Sequence, residues 1–146
     1  MIYIVDIDGT VCNIDHRLHF LKSNPQDWDG FYKACVDDTP ITEVITVVKA
    51  TANAGPMLAF ITGRSEIVRE ETRTWLTKNG LFPIALLMRK EGDHREDNVV
   101  KEELLDKLIE TFPYHNIGGA FEDRQQVVDM YRRRGLRVFQ VAKGNF

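Results

Sequence analysis

Apolar and polar positions alternate in blocks along this chain. Met1 to Val5 is a short, β-branched run of the kind that forms a strand covered on both faces. Comparable runs lie at Met57–Ile61, Ile84–Met88, Asn116–Phe121 and Leu136–Val141. Between them the spacing turns helical. Ile41 to Ala54 carries Ile41, Val44, Ile45 and Val48 on one face, with Thr39 placed to cap its start and Gly55-Pro56 to stop it. Glu66 to Asn79 is a second helix, with Ile67, Thr74, Trp75 and Leu76 inward and Asn79-Gly80 at its end. After a charged loop, Arg89 to Asp97, a third helix runs from about Asn98 to Thr111 on Val100, Leu104, Leu105 and Leu108. A fourth covers Arg124 to Arg134.

Strands that alternate with helices predict an α/β fold: a central, mainly parallel five-stranded sheet, Rossmann-like, with helices on both faces in three layers. Residues 13–40 interrupt this rhythm. Asn13 to Leu21 reads as a turn entering a short helix, Asn24-Pro25 breaks it, and Asp27 to Val36 is a second helical piece with Trp28, Phe31, Tyr32 and Cys35 on one side. This insertion is too short for a domain of its own, so the expectation is one domain over 1–146 with a small helical lid at 13–40. The aromatic stripe either packs the lid onto the body or stacks on a base.

Composition narrows the classes. Of 146 residues, 43% are hydrophobic and 28% charged, as in ordinary globular proteins. No apolar run reaches the roughly 20 residues that span a bilayer, and no secretory leader precedes the first strand. The net charge of −3 argues against a generally basic nucleic-acid binder. Cys12 and Cys35 have no metal-type spacing, which fits a reducing, cytoplasmic setting and small core residues. Arg132-Arg133-Arg134 reads as a solvated helix end before it reads as a backbone-binding patch.

The chemistry gathers at strand ends. The first strand runs into Asp6-Ile7-Asp8-Gly9-Thr10, another into Thr62-Gly63-Arg64 and another into Glu122-Asp123. In an open α/β sheet these carboxyl ends are where ligands bind. Two carboxylates two residues apart on a buried strand call for a divalent cation, and hard oxygen ligands suit Mg2+. Phosphoryl transfer uses the whole set. Asp6 is the nucleophile that forms an aspartyl-phosphate, and Asp8 is the general acid and then base. Thr62, the Gly63 amide and Lys101 supply donors and charge to the phosphoryl oxygens. Asp6, Asp8 (through its main-chain carbonyl) and Asp123 hold the metal.

DIDGT, ITGR, a helix-borne lysine and FEDR together resemble the four signatures of the haloacid dehalogenase-like (HAD) phosphohydrolases. GDHREDNVVKEE (Gly92 to Glu103), EDRQQVVDMYRRRG (Glu122 to Gly135) and FQVAKGNF (Phe139 to Phe146) resemble the 3′-phosphatase domain of phage-type polynucleotide kinase/phosphatases. The likeness spans most of the chain and is weakest in Asn13 to Pro40. It implies the same roles for Asp6, Asp8 and Thr62, adds Arg17, Arg64 and Asp97 beside Lys101, and makes Glu122 and Asp123 the acidic pair that supports magnesium. Glu122 stands where that family has aspartate, which makes Asp123 the direct ligand. Asp97 lies one helical turn before Lys101 and can orient it. Arg17 and Arg64 can grip substrate phosphate or the leaving nucleoside.

The resulting expectation is a magnesium-dependent phosphatase acting on 3′-phosphorylated DNA or RNA ends or on nucleoside 3′-monophosphates. The alternatives are a 5′-nucleotide or small-metabolite phosphatase of the same chemistry, and an idle HAD-like binding module. No GxxxxGK[ST] cradle for nucleotide phosphates occurs, so this chain is expected to remove phosphate without adding it, with a separate kinase or ligase as the partner to expect.

Overall fold

The computed structural model describes residues 1–144. The last two residues of the FQVAKGNF stretch, Asn145 and Phe146, lie outside them. Five strands form one parallel sheet: β1 (Ile2–Val5), β4 (Met57–Ser65), β5 (Pro83–Arg89), β6 (Ile117–Glu122) and β7 (Val138–Gln140), in the spatial order β5-β4-β1-β6-β7. A separate two-stranded ladder joins β2 (Cys12–Asn13) to β3 (Thr39–Pro40).

The period-2 geometry of a strand sorts each apolar run onto two faces. Val5, Leu58 and Phe60 point to one core, where they meet Ile45 and Val48 of α3 (Thr42–Asn53) and Trp75 and Leu76 of α4 (Arg69–Lys78). Ile2, Ile4, Ala59 and Ile61 point to the other. There they meet Val100, Leu104, Leu105 and Leu108 of α5 (Asp97–Thr111), and Val127, Met130 and Tyr131 of α6 (Gln125–Arg133). The sheet is thus sandwiched between helices, as the block pattern predicts.

The insertion after β1 folds as short pieces. A 3-10 turn at Asp15–Arg17 leads into α1 (His19–Lys22), and α2 (Trp28–Lys33) is followed by a 3-10 turn at Ala34–Asp37. Ile14, Phe31, Tyr32 and Cys35 join the first core, so the insertion is packed onto the body. The β2–β3 ladder closes its base.

Three local readings change. Thr39 does not cap α3; it pairs with Asn13 in the ladder, and Ile41 precedes the helix without a side-chain cap. The strand read as Met57–Ile61 continues to Ser65 because its parallel pairing with β5 continues, so Thr62 lies on a strand and Ser65 caps the following turn. Thr74 is exposed; the buried threonine of α4 is Thr72, whose hydroxyl accepts from Arg64 Nη1 at 3.1 Å.

Candidate active site

The chain winds from β1 to one side of the sheet and returns on the other through β6. The order therefore reverses between β1 and β6, the position where open α/β sheets bind ligands. Asp6 and Asp123 stand on either side of that switch, at the carboxyl ends of the two strands. Gly9 lies in the tight turn that follows Asp6 and Asp8. Its φ of +82° favours glycine, and a Cβ there would collide with the Asp123 carboxylate.

Asp6 is held through both oxygens. Lys101 Nζ donates to Oδ1 at 2.7 Å, and the Thr10 hydroxyl donates to Oδ2 at 2.7 Å while lying 3.2 Å from Asp123 Oδ1. Lys101 reaches the site from α5 and is only 2% exposed. It also donates to Glu122 Oε2 at 2.8 Å and stands 3.4 Å from Asp97 Oδ2, one turn earlier on its helix. These carboxylates raise its pKa well above 10.5 against the burial that would lower it. Glu122 is turned inward: its other oxygen, Oε1, accepts from the Asp123 and Arg124 amides at 3.0 and 3.1 Å.

Asp6, Glu122 and Asp123 offer oxygens within 4.8 Å of one another, set to hold a cation. Burial, reinforced by neighbouring negative charge, pushes all three carboxyls up to about 7. One ammonium does not offset three buried acids, so the donor set and its electrostatics fit a hard dication such as Mg2+.

Asp8 sits in a different field. Its Oδ1 accepts from Arg17 Nη2 at 2.8 Å and from Arg64 Nε and Nη2 at 3.0 and 2.8 Å. Despite burial, the two guanidiniums hold its carboxyl well below the usual range. Behind them lies Asp38, fully buried, which accepts from Arg17 Nε and Nη2 at 2.8 Å each and from Arg64 Nη2 at 2.7 Å. The Trp75 indole donates to the Asp38 main-chain oxygen at 2.9 Å, and His16 Nε2 lies 2.6 Å from its carboxylate. Arg17 also lies over the Phe31 ring, 4.4 Å from its centroid.

The structure therefore brings Asp6, Asp8, Gly63, Asp97, Lys101, Glu122 and Asp123 to one cleft of about 250 Å³. Arg17 and Arg64, expected to grip substrate, are instead 0% exposed, with their donors committed to Asp8 and Asp38. Thr62 does not line the cleft: it is fully buried beside Gly63, where its hydroxyl accepts from the Arg64 amide at 3.1 Å. Four residues of the site were not foreseen: Thr10, Asp38, Arg89 and Arg124. Arg89 braces the Gly63 carbonyl through Nε at 2.7 Å, and a Cβ on Gly63 would collide with Asp97 Oδ1. Arg124 lines the cleft near Asp97, at 3.7 Å. Thr10 alone carried a readable signal, as a hydroxyl directly after the DxDG turn. The triple-arginine end of α6 is a surface feature: Arg133 and Arg134 pair with Glu102 and Asp106.

A switch-point aspartate pair, a buried helix-borne lysine and an acidic pair on the next strand define a HAD-like phosphohydrolase. Comparison with known proteins gives the family. The chain belongs to the polynucleotide kinase PNKP phosphatase domain family, which it matches over residues 1–146. It is therefore a phosphatase domain of the phosphoric monoester hydrolase class.

It is 31% identical over 143 residues to a protein of Autographa californica nuclear polyhedrosis virus named as a bifunctional polynucleotide kinase/RNA ligase, covering 96% of this chain and 19% of the viral protein. A chain in a solved Pnkp1/Rnl/Hen1 complex superposes with a TM-score of 0.82 at 32% identity, covering 99% of this chain and 46% of that one. A class C acid phosphatase from Bacillus anthracis shares the fold, with a TM-score of 0.70 at 16% identity over 99% of this chain and 67% of its own. The chain thus spans less than half the length of the first two. Among the described residues no helix is long and apolar enough to cross a membrane.

Proposed function

We propose that the chain is a magnesium-dependent phosphatase that removes 3′-phosphate from DNA or RNA ends or from nucleoside 3′-monophosphates through an aspartyl-phosphate on Asp6. The observation that carries this reading is the 2.7 Å contact between Lys101 Nζ and Asp6 Oδ1 on the cleft floor, beside the acids Glu122 and Asp123.

Asp6 attacks phosphorus, and the bond from phosphorus to the sugar oxygen breaks. Asp8 gives its proton to that oxygen. Water then attacks the phosphoryl-aspartate and surrenders a proton to Asp8. Inorganic phosphate leaves and Asp6 is restored. Asp8 rests ionised under its two arginines, so the proton it relays to the sugar oxygen in the first step arrives with a substrate bound as its phosphate monoanion, and the ionised form is the one that accepts from water in the second. Lys101 and the Gly63 amide meet the phosphoryl oxygens, with Thr62 bracing this end of β4 through the Arg64 amide and Asp97 keeping Lys101 in line. Bound Mg2+ supplies charge that screens the carboxylate from the incoming phosphate. Asp6, the Asp8 main chain and Asp123 would hold it, with Glu122 behind, since the Glu122 oxygens already serve Lys101 and two amides. The insertion at 13–40 acts as the lid. Because the viral relative named above is called a polynucleotide kinase/RNA ligase, a kinase or ligase activity, on the same protein or on another, is the partner this reading calls for.

The small cleft also admits a second reading, a phosphatase of 5′-nucleotides or small metabolites. Phosphate release from 3′- and 5′-phosphorylated oligonucleotides and mononucleotides, with magnesium or with chelator, separates the two. Equal or absent activity at the 3′ end defeats the 3′ reading.

A further inference from the structure

The cleft is two-faced. Its floor is polar, while its roof consists of apolar side chains from the insertion: Ile14, Leu18, Leu21, Trp28, Phe31 and Tyr32. Phe31 and Tyr32 are buried in the core, but Leu18, Leu21 and Trp28 stay partly exposed, and all three line the cleft. Leu18, Leu21 and Trp28 pack against the first core on one side and turn their remaining surface to the cleft, a contiguous apolar patch of the kind that marks a ligand-binding groove. The Trp28 ring is held in position: Phe31 meets it edge-on at 6.0 Å, and Tyr32 and His94 flank it at 5.9 and 6.2 Å. This surface is fixed before any ligand arrives.

We infer that Leu18, Leu21 and Trp28 form a subsite for the base of the terminal nucleoside, one that registers that a base is present without reading which base it is. The inference rests on the 3′-phosphatase reading above. Three observations support it. The roof is continuous with the catalytic floor, so a group on the roof is joined to a phosphate at Asp6 within one cleft. The volume, about 250 Å³, lies just under the roughly 300–1,000 Å³ of drug-sized pockets, which suits one nucleoside with its phosphate. The roof side chains offer hydrogen-bonding atoms only on Trp28 and Tyr32, and the Leu18 and Leu21 faces offer none, so base edges go unread while flat base faces are covered.

The roof is also mechanically joined to Asp8. Arg17, which donates to Asp8, packs over the Phe31 ring and donates through Nη1 to the Phe31 carbonyl at 3.3 Å. A base seated on the roof therefore rests on the same support that orients the acid.

The test is steady-state kinetics on single-stranded oligonucleotides bearing a 3′-phosphate, with each of the four natural terminal bases and with an abasic terminal residue. For the unaltered chain, KM for the four bases agrees within about threefold, and KM for the abasic end is about tenfold higher, the lower end of what one base stack contributes. In Leu18→Ala/Leu21→Ala that abasic-to-natural ratio falls toward one. Leu21→Ala alone, the milder change, moves it in the same direction. Because the ratio is taken within one variant, and KM does not depend on the folded fraction, partial unfolding leaves it unchanged.

The inference is overturned if the unaltered chain treats abasic and natural ends alike, if one base is preferred by more than about tenfold, or if both variants keep the full ratio. If no 3′-phosphorylated substrate is turned over while 5′-phosphorylated ones are, the 3′-phosphatase reading has failed and this subsite falls with it. That result is visible in the unaltered chain before any variant is made.

Discussion

Arg64 holds Asp8 from one side and Asp38 from the other: its Nη2 lies 2.8 Å from Asp8 Oδ1 and 2.7 Å from Asp38 Oδ2, with no solvent exposure of the guanidinium. Nε makes a second bond to Asp8 at 3.0 Å, so this carboxylate, the proposed acid/base group, is fixed in angle as well as position. Arg64 was expected to bind substrate, and this geometry gives it a different task. Arg64→Lys keeps the charge and loses the two-point hold. The expected result is kcat about 10- to 100-fold lower with KM little changed. A raised KM at constant kcat would return Arg64 to the substrate-gripping role.

Asp38 neutralises two guanidiniums that are themselves buried. Removing one partner of such an assembly leaves charge uncompensated, at a cost of about 3–5 kcal/mol. Asp38→Ala is therefore expected to lower the melting temperature by ten degrees or so for a domain of this size. Asp38→Asn keeps the shape and two of the hydrogen bonds, and is expected to lose less stability but still lose turnover. Calorimetric melts beside phosphate-release rates check both. An Asp38→Ala protein as stable and active as the parent would show that Asp8 is held without it.

Asp6→Asn separates chemistry from stability. A carboxamide cannot form the acyl-phosphate, so phosphate release is expected to fall by at least about a thousandfold. Stability without metal is not expected to fall. The native carboxyl is pushed up to about 7 by burial and by Glu122, so its ionised form is the costly one, and asparagine removes that charge while filling the same space. A variant that retains turnover places the nucleophile elsewhere.

The sheet was legible because strands covered on both faces must be apolar throughout, and the runs at Met57 and Ile84 had no other use. Their ends were less legible: β4 continues through Thr62 to Ser65 on hydrogen bonds to β5 that leave no mark in local composition. The carboxylates of the candidate site could be read because they interrupt apolar strands. Asp38 could not. It sits in Val36-Asp37-Asp38-Thr39-Pro40, which reads as an exposed turn, and its partners lie 21 and 26 residues away. Only the docking of the insertion makes it the hub behind Asp8. The same docking decides that Arg17 faces inward.

Gly63 lies where the end of β4 passes close to α5. A side chain there would collide with Asp97 Oδ1 and approach Arg89 Nη2 at 3.4 Å. Arg89 fixes the Gly63 carbonyl and cannot withdraw cheaply, so Asp97 must move, and Lys101 loses the carboxylate 3.4 Å from its Nζ. Gly63→Ala is expected to cut kcat/KM by roughly 100-fold while magnesium binding survives, because Asp6 and Asp123 are not displaced. Isothermal titration with magnesium beside the kinetic assay tests the pair of statements. Intact turnover would mean that α5 yields without cost.

Magnesium should matter more to the fold as pH rises. Asp6, Glu122 and Asp123 are raised from 3.8, 4.5 and 3.8 to about 7 by burial first and by one another's charge second. Between roughly pH 4 and 7 the folded chain therefore binds more protons than the unfolded chain, so metal-free stability falls as pH rises through that window. Asp8 runs the other way. Its arginines hold it below 3.8, so its contribution is complete above that value and is lost only in stronger acid. From about pH 5.5 to about pH 7.5 the three acids decide the slope, and a dication, which binds only their ionised forms, opposes it. Melting curves in chelator are expected to drop by several degrees over that range, while saturating magnesium restores most of the loss at the upper pH and little at the lower. A metal-free protein that is more stable at about pH 7.5, and unmoved by magnesium at either value, would mean that these carboxylates are neutralised within the protein and do not form a cation site.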